Sequence, residues 1–207
     1  MGLYAIYASK RAGCRVLAVE PEAQNYALLL ENILLNGVQD RVTAANLAIT
    51  SQPGLGRLYV HAITKGGAYN QFFLDATAPD APEEHMLLKG SPITQLQMGV
   101  SLDELVSRFA LEAPTHLKID VDGNEPEIIA GAAQVLSGRQ CRHVLMEIQP
   151  EKPAYQAMLT RLDEFGYRGV SRWENPESNR DRAGRAPAVT MIFEKVLQQE
   201  PIGLGGR

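Results

Sequence analysis

Along the 207-residue chain, apolar and polar positions fall into alternating strand-like and helix-like blocks. The most informative block runs from Thr115 to Leu136. Leu117, Ile119 and Val121 alternate with Lys118 and Asp120, which is the period of a strand. Asp122-Gly123-Asn124 then breaks the run, since Gly and Asn tolerate the positive φ of a sharp turn. Asn124 suits a helix N-cap and Pro126 a first helical turn, while Glu125 and Glu127 meet the positive end of the helix dipole. Ile128, Ile129, Ala132, Val135 and Leu136 recur at helical spacing, and Gly138 ends the run, which predicts one helix. Four carboxylates, Asp120, Asp122, Glu125 and Glu127, thus gather where a strand ends and a helix begins, the edge at which open α/β sheets bind ligands.

The same patterning predicts elements on either side. Residues 3–12 read as a helix with Leu3, Ile6 and Tyr7 on one face. Arg15 to Glu20 is a nearly continuous apolar strand, as expected when both faces are covered. Pro21-Glu22 opens a helix to about Leu35, with Tyr26, Leu30, Ile33 and Leu34 at core spacing and Asn36-Gly37 as its end. Arg41–Thr50 reads as a strand, and Gly56–Ala62 as a short strand paired antiparallel. Thr64 to Gly99 has no sustained period and reads as a long loop, either a surface excursion or a lid. Ser101 and Glu104 form a capping-box pattern for a short helix. Arg142–Gln149 is a strand ending near Glu147, Pro153–Phe165 a helix, and Tyr167–Ser171 a short strand. Trp173–Pro187 reads as a polar loop, and Val189–Val196 as a closing strand. Strands and helices alternate, so the expected fold is α/β, a mostly parallel doubly wound sheet. Residues 1–197 are expected to form one domain, followed by a flexible tail, 198–207.

Composition narrows the class. Hydrophobic residues make up 45% and charged residues 21%, which suits a soluble globular protein. A net charge of −4 and a pI near 5.6 argue against binding nucleic acid through bulk phosphate attraction. No apolar run approaches the ~20 residues of a membrane helix, and with no basic stretch followed by an apolar one at the start, a signal peptide is not expected. No membrane or nucleic-acid partner is expected, and the location is expected to be cytoplasmic. Cys14 and Cys141 form no metal or redox spacing and are expected to be free thiols. Neither do His61, His85, His116 and His143 show a ligand pattern. A divalent ion on Asp120, Asp122 and Glu147 would be chemically reasonable, but no dedicated spacing supports one, so no metal is expected.

Glu20 ends the second strand position of such a sheet, at VLAVEP. An acid there can accept hydrogen bonds from ribose hydroxyls, the role its position favours; the alternative is a cap on the following helix beside Pro21. MGLYAIYASKRAGCRVLAVEP, NLAIT, SLDEL, LKIDVDGNEPEIIAGA and VLMEIQP, over Gly2 to about Pro150, together resemble the FkbM family of S-adenosylmethionine-dependent methyltransferases. The KIDVDGNE…GA element is the most specific part. The resemblance implies a Rossmann-like class I methyltransferase fold with an antiparallel last strand. It also implies S-adenosylmethionine as cofactor and O-methylation of a small molecule or sugar hydroxyl.

Site residues follow from the same resemblance. Gly2 matches the last glycine of the family's loop D-x-G-A-N-x-G, with Met1 at its variable position. Glu20, next to Pro21, matches the acid that holds the cofactor ribose. Asn46 and Leu47 fall where adenine contacts lie. Asp120 is expected beside the methyl group, to orient the cofactor amine, act as base or hold a metal, and Glu147 to close the acceptor side. The family's first strand has no counterpart here. The expectation is therefore that the chain starts at an internal methionine, that strands 15–20 and 116–121 each lose a pairing partner, and that cofactor binding suffers. His85, or Trp173 with Arg172, Arg180, Arg182 and Arg185, are further candidates for contact with an acceptor. Two rivals stand beside this reading. One is a nicotinamide-dependent dehydrogenase, which a hairpin-like antiparallel end to the sheet would disfavour. The other is a non-catalytic remnant of a methyltransferase. Neither the acceptor nor the oligomeric state is legible in these residues.

Overall fold

The computed structural model describes residues 1–75, 93–174 and 188–196. The chain divides into two compact units, Met1–Leu105 with Val121–Gly131, and Val106–Asp120 with Ala132–Arg207.

In the first unit, helix α1 (Leu3–Ala12) leads into strand β1 (Val16–Val19), helix α2 (Ala23–Leu35) and strand β2 (Val42–Ala45). β1 and β2 pair in parallel, Val16 opposite Val42. Leu29, Ile33, Val38 and Val42 form the core of this layer, with Ala5, Ile6, Val16, Ala18, Tyr26 and Ala44 packed against it. The buried stripes differ from those predicted. Leu3 and Tyr7 of α1 are exposed, as are Leu30 and Leu34 of α2. The run LLLENILL carries two overlapping apolar stripes, and contact with the strands selects Leu29 and Ile33. The helix ends behave as read: Asn36 is the C-cap of α2, and Gly37 follows with φ 64°.

A second sheet of this unit joins strands β3 (Ala48–Ile49), β4 (Gly54–Val60), β5 (Gln71–Leu74) and β6 (Ile93–Val100) in the order β3-β6-β4-β5. β3 and β6 are parallel, while β4 runs antiparallel to both β5 and β6. Ala48, Leu58, Val60, Phe72 and Leu74 form its core. The predicted loop over 64–99 is therefore corrected at both ends, where β5 and β6 lie. The signal was hidden because β6 turns Gln97 inward and leaves Leu96 and Met98 exposed, the reverse of the usual alternation.

Helix α3 (Leu102–Arg108) starts as predicted, with Ser101 Oγ accepting the Glu104 N–H at 3.1 Å. The predicted helix after Asn124 is broken into α4 (Glu125–Ala130) and, in the second unit, α5 (Ala133–Ser137). Gly131 sits at the break. A Cβ there would lie 2.2 Å from the Thr50 carbonyl oxygen, and the Gly131 carbonyl accepts the Asp103 N–H at 3.0 Å. The carbonyl that would extend the helix ladder is thus bonded to α3 instead.

The second unit holds β7 (His116–Ile119), β8 (His143–Ile148), α6 (Pro153–Glu164), β9 (Tyr167–Glu174) and β10 (Val189–Lys195), with sheet order β7-β8-β10-β9. β7 and β8 are parallel, and β10 inserts antiparallel between β8 and β9. Val144, Met146 and Ile148 bury one face of β8, and Tyr155, Met158 and Leu162 bury one face of α6. The Lys195 ammonium closes α5 by donating to the carbonyls of Leu136 and Gly138. β9 runs on through Trp173 and Glu174, which had been expected in a loop.

The α/β class and the antiparallel closing strand hold. A single mostly parallel sheet does not: among the described residues, three of seven strand pairings are parallel, in three separate hydrogen-bonded sheets. The parallel reading failed because β5 follows its partner β4 with no helix between them, a connection that favours antiparallel pairing, and because β10 runs antiparallel to both β8 and β9. Among the described residues, β1 pairs with β2 alone and β7 with β8 alone.

Candidate functional site

The first unit assembles most of the predicted cofactor residues around the end of β1. Glu22, not Glu20, caps α2: its carboxylate accepts the Gln24 N–H at 3.0 Å and the Asn25 N–H at 2.7 Å. Glu20 is thereby released from the helix. One of its carboxylate oxygens accepts the Glu22 N–H at 3.1 Å, and the other has no hydrogen-bond partner among the described residues. Burial pushes the Glu20 carboxyl above its ordinary value; the Glu22 amide and the chain's amino terminus oppose this, while the Glu22 carboxylate adds to it. A half-buried acid with one open oxygen suits a neutral ligand that donates hydrogen bonds.

Asn46, the exposed residue after β2, donates through Nδ2 to the Glu20 carbonyl at 2.9 Å and the Pro21 carbonyl at 3.0 Å. Its side chain therefore fixes the β1–α2 turn, and its half-buried neighbour Leu47 is the better placed of the two for an apolar ring. Gln95 and Gln97 of β6 join the same turn. Gln95 Nε2 donates to the Pro21 carbonyl at 2.8 Å and to Gln97 Oε1 at 2.9 Å. Gln95 Oε1 accepts the Ala23 N–H at 3.2 Å, and Gln97 Nε2 donates to the Asn46 carbonyl at 2.9 Å. Neither glutamine was picked out from sequence. The signal available was two amides at period two, Gln95 and Gln97, in a stretch otherwise read as loop. Gly2, at the start of α1, has φ 87°, and a Cβ there would lie 2.6 Å from Leu29 Cδ1. Its glycine is explained by that backbone turn and by close packing on α2.

Of the four carboxylates gathered by sequence, three lie in this unit. Asp122 Oδ2 accepts the Tyr69 N–H at 2.5 Å, and the Asp122 carbonyl accepts from the Gln71 side chain. Tyr69 holds a left-handed backbone, φ 67°, to make that contact. Asn124 stands at the N-cap position of α4 but makes no side-chain cap; it donates to the Phe72 carbonyl at 2.8 Å. Glu125 is buried and Glu127 exposed. The Asp122–Asn124 turn is thus bound to β5 and the residues before it.

In the second unit Asp120 follows β7 and receives the Lys118 ammonium at 2.5 Å, with Lys118 the more enclosed partner. Glu147 lies on β8 opposite Thr190 of β10. His116 and His143 start β7 and β8 as predicted and stack with ring centroids 4.8 Å apart. Arg172 pairs with Glu174 at 3.2 Å. His85, Arg180, Arg182 and Arg185 lie outside the described residues. Cys14 and Cys141 are both free thiols. Among the described residues no three His, Cys, Asp or Glu side chains converge as metal ligands, and no helix is long and apolar enough to cross a membrane.

The family described as the methyltransferase FkbM domain matches residues 2–168. Among solved structures, the fold is similar to methyltransferase FkbM from Methylobacillus flagellatus KT, with a TM-score of 0.53 and 13% identity, covering 91% of this chain and 40% of that one. The chain therefore spans well under half the length of that protein. Precorrin-6y C5,15-methyltransferase from Geobacter metallireducens GS-15 aligns with a TM-score of 0.44 and 14% identity, over 93% of this chain and 73% of that one. No curated protein matches the sequence. With the family pattern running through more than three quarters of its residues, the chain belongs to the FkbM family of S-adenosylmethionine-dependent methyltransferases.

Proposed function

We propose that this chain binds S-adenosylmethionine through the end of β1 and supports O-methylation of a small-molecule or sugar hydroxyl. The observation that carries the cofactor half is Glu20: an enclosed carboxylate relieved of capping by Glu22, with one oxygen open. That oxygen fits a ribose diol, which offers two O–H donors. Pro21 shapes the turn beside it, Leu47 offers an apolar edge for adenine, and Asn46 holds the two loops together. Gly2 keeps the start of α1 free of a Cβ. When bound, the cofactor supplies a methyl group already activated by a sulfonium, so the protein's main contribution is alignment.

Asp120 and Glu147 are the proposed carboxylates for the acceptor side. Each is able to accept the proton that an attacking hydroxyl must lose. Lys118 holds the Asp120 carboxylate in one orientation.

The binding test is calorimetric titration of S-adenosylhomocysteine into the wild-type chain and the Glu20→Gln variant. A charged hydrogen bond to the diol is worth about 1.5–3 kcal/mol, so the variant should bind roughly tenfold to a hundredfold more weakly. Equal affinity in the two proteins would remove Glu20 from the site. On the acceptor side, Asp120→Asn or Glu147→Gln should lower kcat for a hydroxyl acceptor by about a hundredfold or more; Glu147→Gln should keep cofactor affinity, while Asp120→Asn should also weaken it by losing the contact to the cofactor amine. A kcat unchanged in both variants would show that neither carboxylate acts on the hydroxyl.

A further inference from the structure

Three side-chain amides beside Glu20 form a connected set that sequence gave no reason to expect. Gln97 is buried, and its Nε2 meets only a carbonyl, that of Asn46. Its Oε1 must then accept, and it does so from Gln95 Nε2. The second proton of Gln95 Nε2 goes to the Pro21 carbonyl, which turns Gln95 Oε1 toward the Ala23 N–H. Asn46 Nδ2 closes the set by donating to the carbonyls of Glu20 and Pro21. Both protons of Gln95 Nε2 and of Asn46 Nδ2 find acceptors, and Gln97 Nε2 finds one, which fixes the orientation of all three amides. The geometry is anchored at Gln97, the buried member, where a rearrangement would leave an amide group without a partner and away from water.

The set ties three segments together: the Glu20-Pro21 turn, the Asn46-Leu47 turn and strand β6. We propose that Gln95 and Gln97 are positioning residues for nucleoside recognition, setting the spacing between the Glu20 carboxylate and the Asn46-Leu47 turn. This rests on the reading that Glu20 holds the ribose and the Asn46-Leu47 turn lies at the base. In that arrangement β6 touches no ligand. It fixes the distance between two loops whose own strands, β1 and β2, pair over only four residues each.

The test is calorimetric binding of adenosine and of S-adenosylhomocysteine to the wild-type chain, Gln95→Met, Gln97→Met, Glu20→Gln and the Glu20→Gln/Gln97→Met double variant. Methionine keeps the length of glutamine and removes its hydrogen bonds. Gln95→Met removes three hydrogen bonds and Gln97→Met two, none of them to the ligand, so each variant should weaken both ligands only about three- to tenfold, through the shift of Glu20. Because the glutamines act through the placing of Glu20, the Gln97→Met penalty should shrink in the Glu20→Gln background; full additivity would make its role merely structural and overturn the proposal. Faster hydrogen exchange at the Ala23 amide in Gln95→Met should accompany the loss. If Glu20→Gln weakens binding while both glutamine variants bind like wild type, the positioning role falls and the ribose role of Glu20 stands. If the wild-type chain binds neither ligand, both fall. Should Gln97→Met fail to fold, Gln95→Met carries the decision alone, since Gln95 is only half-buried; unchanged affinity there overturns the proposal.

Discussion

Glu20 shows how one residue's role turns on its neighbour two positions along. From sequence it had two readings, a helix cap or a ligand acid, and both need a carboxylate at the end of a strand. The cap belongs to Glu22, whose two oxygens take the Gln24 and Asn25 amides. Glu20 keeps an enclosed position that raises its carboxyl above the ordinary value of 4.5. A carboxyl held higher in the folded chain favours folding while it is protonated. That contribution is complete below pH 4.5 and is lost as the pH rises through the raised folded value. Glu20→Gln removes the titration. Its melting temperature should therefore gain on wild type as the pH climbs from 4.5 toward neutrality, even as cofactor affinity falls. Thermal melting of both proteins across that range measures it, and parallel profiles would show that burial of Glu20 has no such cost. The trade suits a binding residue, since function and stability make opposite demands on the same carboxylate.

At the scale of elements, local signals read well where they act within a few residues. The cap at Ser101, the turn at Asn36-Gly37 and the hairpin-like end of the sheet were all predicted and are all present. Signals that depend on which face meets a neighbour failed more often. Of the residues at predicted core spacing, Ile33 is buried but Leu30 and Leu34 are exposed, and Leu29, not among them, is buried instead. β6 went unseen because its inward residues are amides, chosen by what Gln95 and Gln97 bond to and not by burial of apolar surface. The break between α4 and α5 has the same origin. Nothing in EIIAGAAQVL forbids a continuous helix, but Gly131 lies against the Thr50 carbonyl. Gly131→Ala should relieve no helical strain and instead force that contact apart, destabilising the chain by about 1–3 kcal/mol. Urea denaturation reads the change; a stabilised variant would mean that the glycine is there for flexibility and not for space.

For the molecule as a whole, ligand binding and stability are linked by mass action. S-adenosylhomocysteine at a hundredfold excess over its dissociation constant should add about 2.7 kcal/mol to unfolding. For a chain of this length that corresponds to a rise in melting temperature of roughly 5–10 °C. Scanning the wild-type chain with and without the ligand gives the result directly. An unchanged melting temperature at saturating ligand would remove cofactor binding from the functional reading. The net charge of −4 is compatible with small-molecule work and gives no electrostatic reason to expect nucleic acid.

By itself the sequence determined the α/β class, the family pattern over most of the chain, the antiparallel end and the acid at the tip of β1. The family pattern rests on a resemblance in the motifs; the rest depends on periodicity and short-range turn chemistry, which a chain carries wherever it folds. The tertiary structure decided which leucines are buried, where the helix after Asn124 breaks and how, among the described residues, seven strand pairings divide among three sheets. Each of those is a choice between partners that compete for the same hydrogen bond or the same apolar face. The winner is set by groups distant in sequence: Gln95 for the turn at Pro21, Thr50 for Gly131, and Val42 for Leu29.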